Sequence, residues 1–245
     1  MLKKAMKLFE RAITPITHGP ALEKSQRPQD EGLHPSPSSR GEWVEADGPL
    51  HRRKYDSYSD YLGHQKAKLA TVDLVEYHQR FRHVLRERVT ALKLLAPGDT
   101  VLCLGARIGT ECQAFLDMGC FAVGIDLNPG PSNKYVLVGD FHALQFSPRS
   151  VRCIYTNALD HSYELEQVLR EVKRVLIPGG LFMADIIRGS RDVDGRGPGE
   201  YESYWWDSLD DVIRMIESKG FNLVQRHRFT YPWSGDQVVF QGATD

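Results

Sequence analysis

Apolar residues recur along this chain with two different periods. Between residues 71 and 92, Leu74, Tyr77, Phe81, Val84, Leu85, Val89 and Leu92 stand three or four positions apart, which lines one face of a helix. Thr71 is placed to cap its start, and Pro97-Gly98 marks the stop before the next element. From residue 100 onward, short unbroken apolar runs alternate with further helical stripes. The runs predict strands over 100–104, 121–127, 135–140, 151–157, 181–187, 221–229 and 237–241. The stripes predict helices over 108–118, from Leu165 to Leu176 and over 208–218, with Pro178-Gly179-Gly180 closing the second of these. Alternating strands and helices argue for an α/β, doubly wound, mostly parallel seven-stranded sheet. The last two strands, joined around Pro232, Ser234 and Gly235, form a C-terminal antiparallel hairpin, and an N-terminal helical arm precedes the sheet.

The pattern also sets the expected domain organisation. Residues 1–40 read as a short basic amphipathic helix followed by a disordered linker. Leu2, Met6, Phe9 and Ile13 share one helical face. Beyond them Pro15, Pro20, Pro28, Pro35 and Pro37 are scattered without any apolar period. Residues 41–97 form an N-terminal arm and helix, and residues 98–245 the main domain. The arm carries Trp43, Tyr55, Tyr58 and Tyr61, as an extended segment lying on a domain would.

Composition narrows the partners. Hydrophobic content of 41% and a formal net charge of -1 over 245 residues give no electrostatic reason to expect nucleic acid. Arg80, Arg82, Arg86 and Arg88 read as the solvated outer face of the first long helix. No apolar run approaches the ~20 residues needed to cross a bilayer. The basic face of residues 1–13 leaves membrane-surface contact open. Cys103, Cys112, Cys120 and Cys153 lack metal-ligand spacing, so no metal site is expected. They read as free thiols of a reducing, cytoplasmic environment.

The candidate chemistry lies at the carboxyl ends of the predicted strands, where ligands of such sheets bind. Val101-Leu102-Cys103-Leu104 runs into Gly105-Ala106-Arg107-Ile108-Gly109, a glycine turn between strand and helix that lets a ligand approach the backbone. Asp126, followed by Leu127, ends the second core strand about 20 positions further on, where a carboxylate can accept from both ribose hydroxyls. Asp140-Phe141 follows the third strand and pairs an acid with an aromatic face, as an adenine requires. Asn157-Ala158-Leu159-Asp160-His161 follows the fourth strand, nearest the reactive end of a ligand.

Together these segments resemble the class I S-adenosylmethionine-dependent methyltransferases. VLCLGARIG resembles the family's first motif, VGIDLNP its ribose-binding acid, GDFHALQF its adenine segment and EVKRVLIPGGLFM its late motif. The resemblance implies S-adenosyl-L-methionine as cofactor, held by Gly105, Ala106, Arg107, Gly109, Asp126, Leu127, Asp140, Phe141 and Asn157. Two positions depart from the family: Cys103 replaces an acid, and Arg107 replaces a glycine. Arg107 either crowds the methionine portion or pairs with its carboxylate. A dinucleotide fingerprint would need glycines where Arg107 and Thr110 stand, which disfavours a nicotinamide enzyme.

Methyl transfer to a hydroxyl benefits from a base near neutrality. His161 is the candidate by position, with Asp160 as its orienter or substitute; a pocket-lining role for His161 is the alternative. Tyr61, His64, Gln65 and Lys66 of the arm are placed to close over the cofactor. The segment from Arg188 to Tyr204, with four glycines, reads as a lid; Tyr201, Tyr204, Trp205 and Trp206 either stack on an acceptor or pack the lid down. The expected reaction is O-methylation of a small-molecule or glycan-type, sugar-containing acceptor. The alternative is a non-catalytic S-adenosylmethionine-binding or scaffold protein. Oligomeric state is not legible in the sequence.

Overall fold

A computed structural model describes residues 42–46, 48–68 and 74–242 of the chain. The expected basic helix and linker over 1–40, and the Thr71 cap, lie outside these residues. Seven strands form the main sheet in the order β5-β4-β3-β6-β7-β10-β9. They are β3 (Thr100–Leu104), β4 (Phe121–Asp126), β5 (Val136–Val138), β6 (Val151–Thr156), β7 (Leu176–Ile187), β9 (Phe221–Phe229) and β10 (Gly235–Gly242). Pairing is parallel from β5 to β7, and β10 runs antiparallel to both β7 and β9. The seven strands and the closing hairpin therefore follow the sequence pattern.

Alternation along β3 explains the layers. Val101 and Cys103 pack with Phe81, Leu85 and Val89 of helix α2 (Val75–Leu92) and with Phe115 of α3 (Thr110–Leu116). Leu102 and Leu104 face the opposite way. They share a core with Leu165, Leu169 and Val172 of α4 (Leu165–Val175) and with Val212 and Ile216 of α5 (Leu209–Ser218). The chain leaves β3 toward β4 on one side and later enters β6 on the other. This reversal opens a crevice at the strands' carboxyl ends.

Several expectations shift. Helix α2 ends at Leu92, before Pro97-Gly98, because Lys93 takes a left-handed conformation (φ 57°) and its N–H bonds the Thr90 carbonyl. Helix α3 starts at Thr110, since Arg107 and Gly109 also adopt positive φ and extend the turn. Pro178-Gly179-Gly180 lies inside β7, alongside a register irregularity in β6, instead of ending a helix. Arg88 is not solvated: it points at the sheet, pairs with the buried Asp185 carboxylate and stacks 4.2 Å from the Phe229 ring centroid.

A second sheet, not foreseen, joins β1 (Trp43–Glu45), β2 (Leu50–Arg53) and β8 (Tyr204–Trp206) in the order β1-β2-β8. Tyr204, Trp205 and Trp206 are buried in the core. The Trp206 indole N–H donates to the Ile187 carbonyl at 2.9 Å. Of the two readings for these aromatics, packing is the one observed. Arg53 locks the sheet to the segment before β8, donating to the carbonyls of Glu202 (2.8 Å) and Gly199 (3.0 Å).

Gly124 on β4 shows how tightly the glycine turn is seated. A Cβ there would stand 2.6 Å from Ala106 Cβ and 2.8 Å from Cys112 Sγ. Gly124→Ala is expected to cost about 1–3 kcal/mol through overpacking, read as a lowered urea midpoint at unchanged m-value.

Candidate functional site

The crevice at the carboxyl ends is a cavity with about 580 Å³ of empty space, part of it open to solvent. Gly105, Arg107, Asp126, Leu127, Asp140, Phe141 and His161 line it. Ala106 is buried beneath the turn, and Gly109 is the N-cap residue of α3, packed against Tyr135. Asn157 and Asp160 lie behind the cavity, lining a slot of about 190 Å³ with Asp185, Trp206 and Trp233. The structure thus brings seven of the expected residues to one cavity and sets four around it.

The floor is tied down by Asp126. Its carboxylate accepts the backbone N–H of Arg107 at 2.8 Å and that of Asn128 at 2.8 Å. Asn133 adds a bond from its side-chain amide to the Arg107 carbonyl at 3.1 Å. Gly105 (φ +66°) passes so close to the next turn that a Cβ would meet Ala158 Cβ at 2.7 Å, so only glycine fits.

The roof is helix α1 (Tyr58–Ala67), capped by Ser57, whose hydroxyl accepts the Asp60 N–H at 3.2 Å. Tyr61, Gln65 and the following Lys68 face the cavity. The Tyr61 hydroxyl donates to the His161 carbonyl at 3.0 Å, and Gln65 donates to the Tyr201 carbonyl at 2.8 Å. His64 instead stacks on Tyr201, with ring centroids 5.3 Å apart, and the Lys66 carbonyl accepts from Asn128. Lys68, Tyr58 and His142 escaped the sequence reading. For Tyr58 and Lys68 a tyrosine-rich arm was the only signal, because their partners lie 82 to 93 positions away.

Asp140 accepts from the Tyr58 hydroxyl, from His142 N–H at 2.9 Å and from the His142 ring at 2.7 Å. Burial alone would raise its carboxyl, but the hydrogen bonds from His142 and Tyr58 hold it below the usual range. His161 is fixed from both sides. Its Nδ1 meets the Tyr201 carbonyl at 2.8 Å and must donate, so Nε2 is the acceptor and receives Lys68 Nζ at 2.6 Å. Burial, then the Lys68 charge, push the His161 imidazole down to about 3, and burial with the Arg107 charge lowers Lys68 to about 8. His161 is therefore neutral at pH 7. Burial raises Asp160 to about 7, with Glu202 adding to the effect.

Known proteins agree with this geometry. Residues 102–184 match the methyltransferase-domain family model. Over these residues the chain is similar to the methyltransferase domain, on a sheet of the class I S-adenosylmethionine-dependent methyltransferase fold. It is 36% identical over 89 residues to malonyl-acyl-carrier-protein O-methyltransferase 1 of Coxiella burnetii, covering 34% of this chain and 32% of that protein. It is 27% identical over 202 residues to sterol 24-C-methyltransferase erg6 of Schizosaccharomyces pombe, covering 68% and 52%. The chain thus spans about half the length of these relatives or less. The crystal structure of Burkholderia thailandensis 1,6-didemethyltoxoflavin-N1-methyltransferase, with bound 1,6-didemethyltoxoflavin and S-adenosylhomocysteine, has the same fold. Its TM-score is 0.57 at 14% identity, over 83% of this chain and 100% of that one. The cyclase SpnF shares the fold too, with a TM-score of 0.54 at 12% identity over 68% and 82%.

The cofactor that goes with this methyltransferase domain is S-adenosylmethionine. The residues present fit it: a glycine turn that no side chain can fill, two acids at strand ends and an aromatic ring beside the second. Among the described residues no helix is long and apolar enough to cross a membrane, and no cluster of metal-binding side chains occurs.

Asp160 offers a test of the electrostatics behind the cavity. Its folded carboxyl keeps a proton to about pH 7, whereas the ordinary group releases it at 3.8. Over that window the folded state binds more protons, so this residue's contribution to stability falls as pH rises. Asp160→Asn removes the term. The variant's melting temperature, relative to the parent, is expected to be higher at pH 8 than at pH 4.5, by the equivalent of a few kcal/mol (about 1.4 per pH unit).

Proposed function

We propose that the protein is an S-adenosylmethionine-dependent methyltransferase acting on a hydroxyl oxygen of a small-molecule or sugar-containing acceptor. One observation carries this reading: His161 opens into the same cavity as Gly105, Asp126, Asp140 and Phe141. A base candidate and a nucleoside cradle therefore share one space. In this reading Asp126 receives the ribose hydroxyls, Asp140 and Phe141 hold the adenine, and Arg107 pairs with the cofactor's carboxylate. The cofactor supplies an electrophilic methyl carbon for in-line transfer.

The chain's part is positioning and proton transfer. The Nε2 lone pair of His161 is directed into the cavity's upper wall, where Lys68 meets it. Displacing Lys68 by an acceptor hydroxyl removes the second of the two causes that lower the imidazole, and Nε2 then takes that hydroxyl's proton while Nδ1–H stays bonded to the Tyr201 carbonyl. Gln65 and Tyr61 line the same wall and suit a neutral, hydrogen-bonding acceptor. In the second reading the protein binds the cofactor without turnover. The bond from Lys68 to His161 favours it, and a cyclase with this fold shows that the fold alone does not fix the reaction.

Calorimetry with S-adenosylmethionine, S-adenosylhomocysteine and NAD tests the cofactor. Tight binding of the first two and none of NAD is expected, and absence of all binding would sink both readings. Asp126→Ala should weaken S-adenosylhomocysteine about 10- to 100-fold, the worth of hydrogen bonds to a charged group. A screen of hydroxyl acceptors with methyl-labelled cofactor then separates catalysis from binding alone. For the acceptor so found, His161→Gln should lower kcat about 100-fold or more with cofactor affinity unchanged. An unchanged kcat rules out the base.

A further inference from the structure

Glu111, the second residue of α3, is 5% exposed. Its Oε1 accepts from the Asn157 side-chain amide at 3.1 Å and lies 3.5 Å from the Tyr77 hydroxyl. Its Oε2 is buried and has no hydrogen-bond partner, and no other buried carboxylate oxygen among the described residues is in that state. A buried acceptor left without a donor costs free energy, so a native fold that keeps one has a use for it. Burial raises this carboxyl to about 7, a rise that the charge of Arg107 opposes and that of Asp126 adds to, and both of these residues line the cofactor cavity. Asn157, its main partner, follows β6 and precedes Ala158, which lines that cavity.

The two acids that line the cavity are already engaged. Asp126 holds two backbone N–H groups, and Asp140 holds Tyr58 and His142. Where related methyltransferases carry an acid in the first motif, this chain has Cys103, which is fully buried. The methionine end of the cofactor brings an ammonium with three donors. The same cavity is lined by Arg107 and Lys68, two cations that would oppose it.

We propose that Glu111 Oε2 receives the α-ammonium of the bound cofactor, and that this contact compensates for the departures at Cys103 and Arg107. The assignment rests on the cofactor reading above. Asn157 and Tyr77 hold Oε1 and so orient the free oxygen, and the Arg107 backbone, bonded to Asp126 and Asn133, is pinned nearby. Glu111 and Arg107 then form a matched pair for the two charges of an amino acid, the carboxylate for its ammonium and the guanidinium for its carboxylate.

The experiment is calorimetric titration of the full chain with S-adenosylhomocysteine and with its analogue lacking the α-amino group. The parent is expected to favour the amino ligand by about 10-fold or more. Glu111→Gln should weaken that ligand until the two bind alike, while leaving the deaminated analogue nearly unchanged. Glu111→Asp, which keeps the charge on a shorter arm, should keep part of the preference, and thermal melts report whether both variants fold. Retention of the full preference by Glu111→Gln overturns the assignment, as does equal weakening of both ligands, which marks a structural role. Binding of neither ligand by the parent overturns the cofactor reading and this proposal with it. Binding of both with no preference overturns this proposal alone.

Discussion

Two backbone N–H groups, from Arg107 and Asn128, converge on the Asp126 carboxylate, each at 2.8 Å. That convergence ties the loop after β3 to the end of β4 and fixes the floor of the crevice. It requires β3 and β4 to be adjacent and in register, Leu104 beside Ile125. It also requires the turn to lie low, which the missing side chain of Gly124 permits. The rest of the site is assembled around this point. Gly105 passes under Ala158, and α3 begins beyond Gly109, so Glu111 points inward where an exposed first-turn acid would face water.

The roof depends on a second, longer-range constraint. Helix α1 has little apolar surface of its own and buries only Tyr61. Polar bonds hold it in place, from Tyr61 to the His161 carbonyl and from Gln65 to Tyr201 and Ser203. The small sheet carries Ser203 to that position by pairing β8 with β2. Ring contacts of Tyr58 and Tyr61 with His142 and Tyr163 add to these bonds.

The seven strands and the layers over them were legible because burial on both faces forces near-continuous apolar runs. Asp126, Asp140 and the glycine turn were legible for a related reason: topology fixes where strand ends fall. The small sheet was not, since β1, β2 and β8 span three or four residues each and β2 carries histidine and arginine. Arg88 was misread because a charged residue on a helix gives no sign that a buried acid waits on the sheet beneath it. Lys68 and Glu111 could not be singled out from spacing, as their chemistry comes from burial and from neighbours distant in the chain.

By itself the sequence determined the α/β class, the mostly parallel sheet with its closing antiparallel hairpin and the acids at its strand ends. These follow from local periodicity and from the few connections that the chain's handedness allows. Only the tertiary structure decided which side chains are neutral, which hydrogen bonds are already taken and which atom is left open. Those properties depend on solvent exclusion and on contacts between residues tens of positions apart. The glycine turn is written in the sequence; the lone oxygen of Glu111 beside it exists only once β3, α2, α3 and the end of β6 have closed around it.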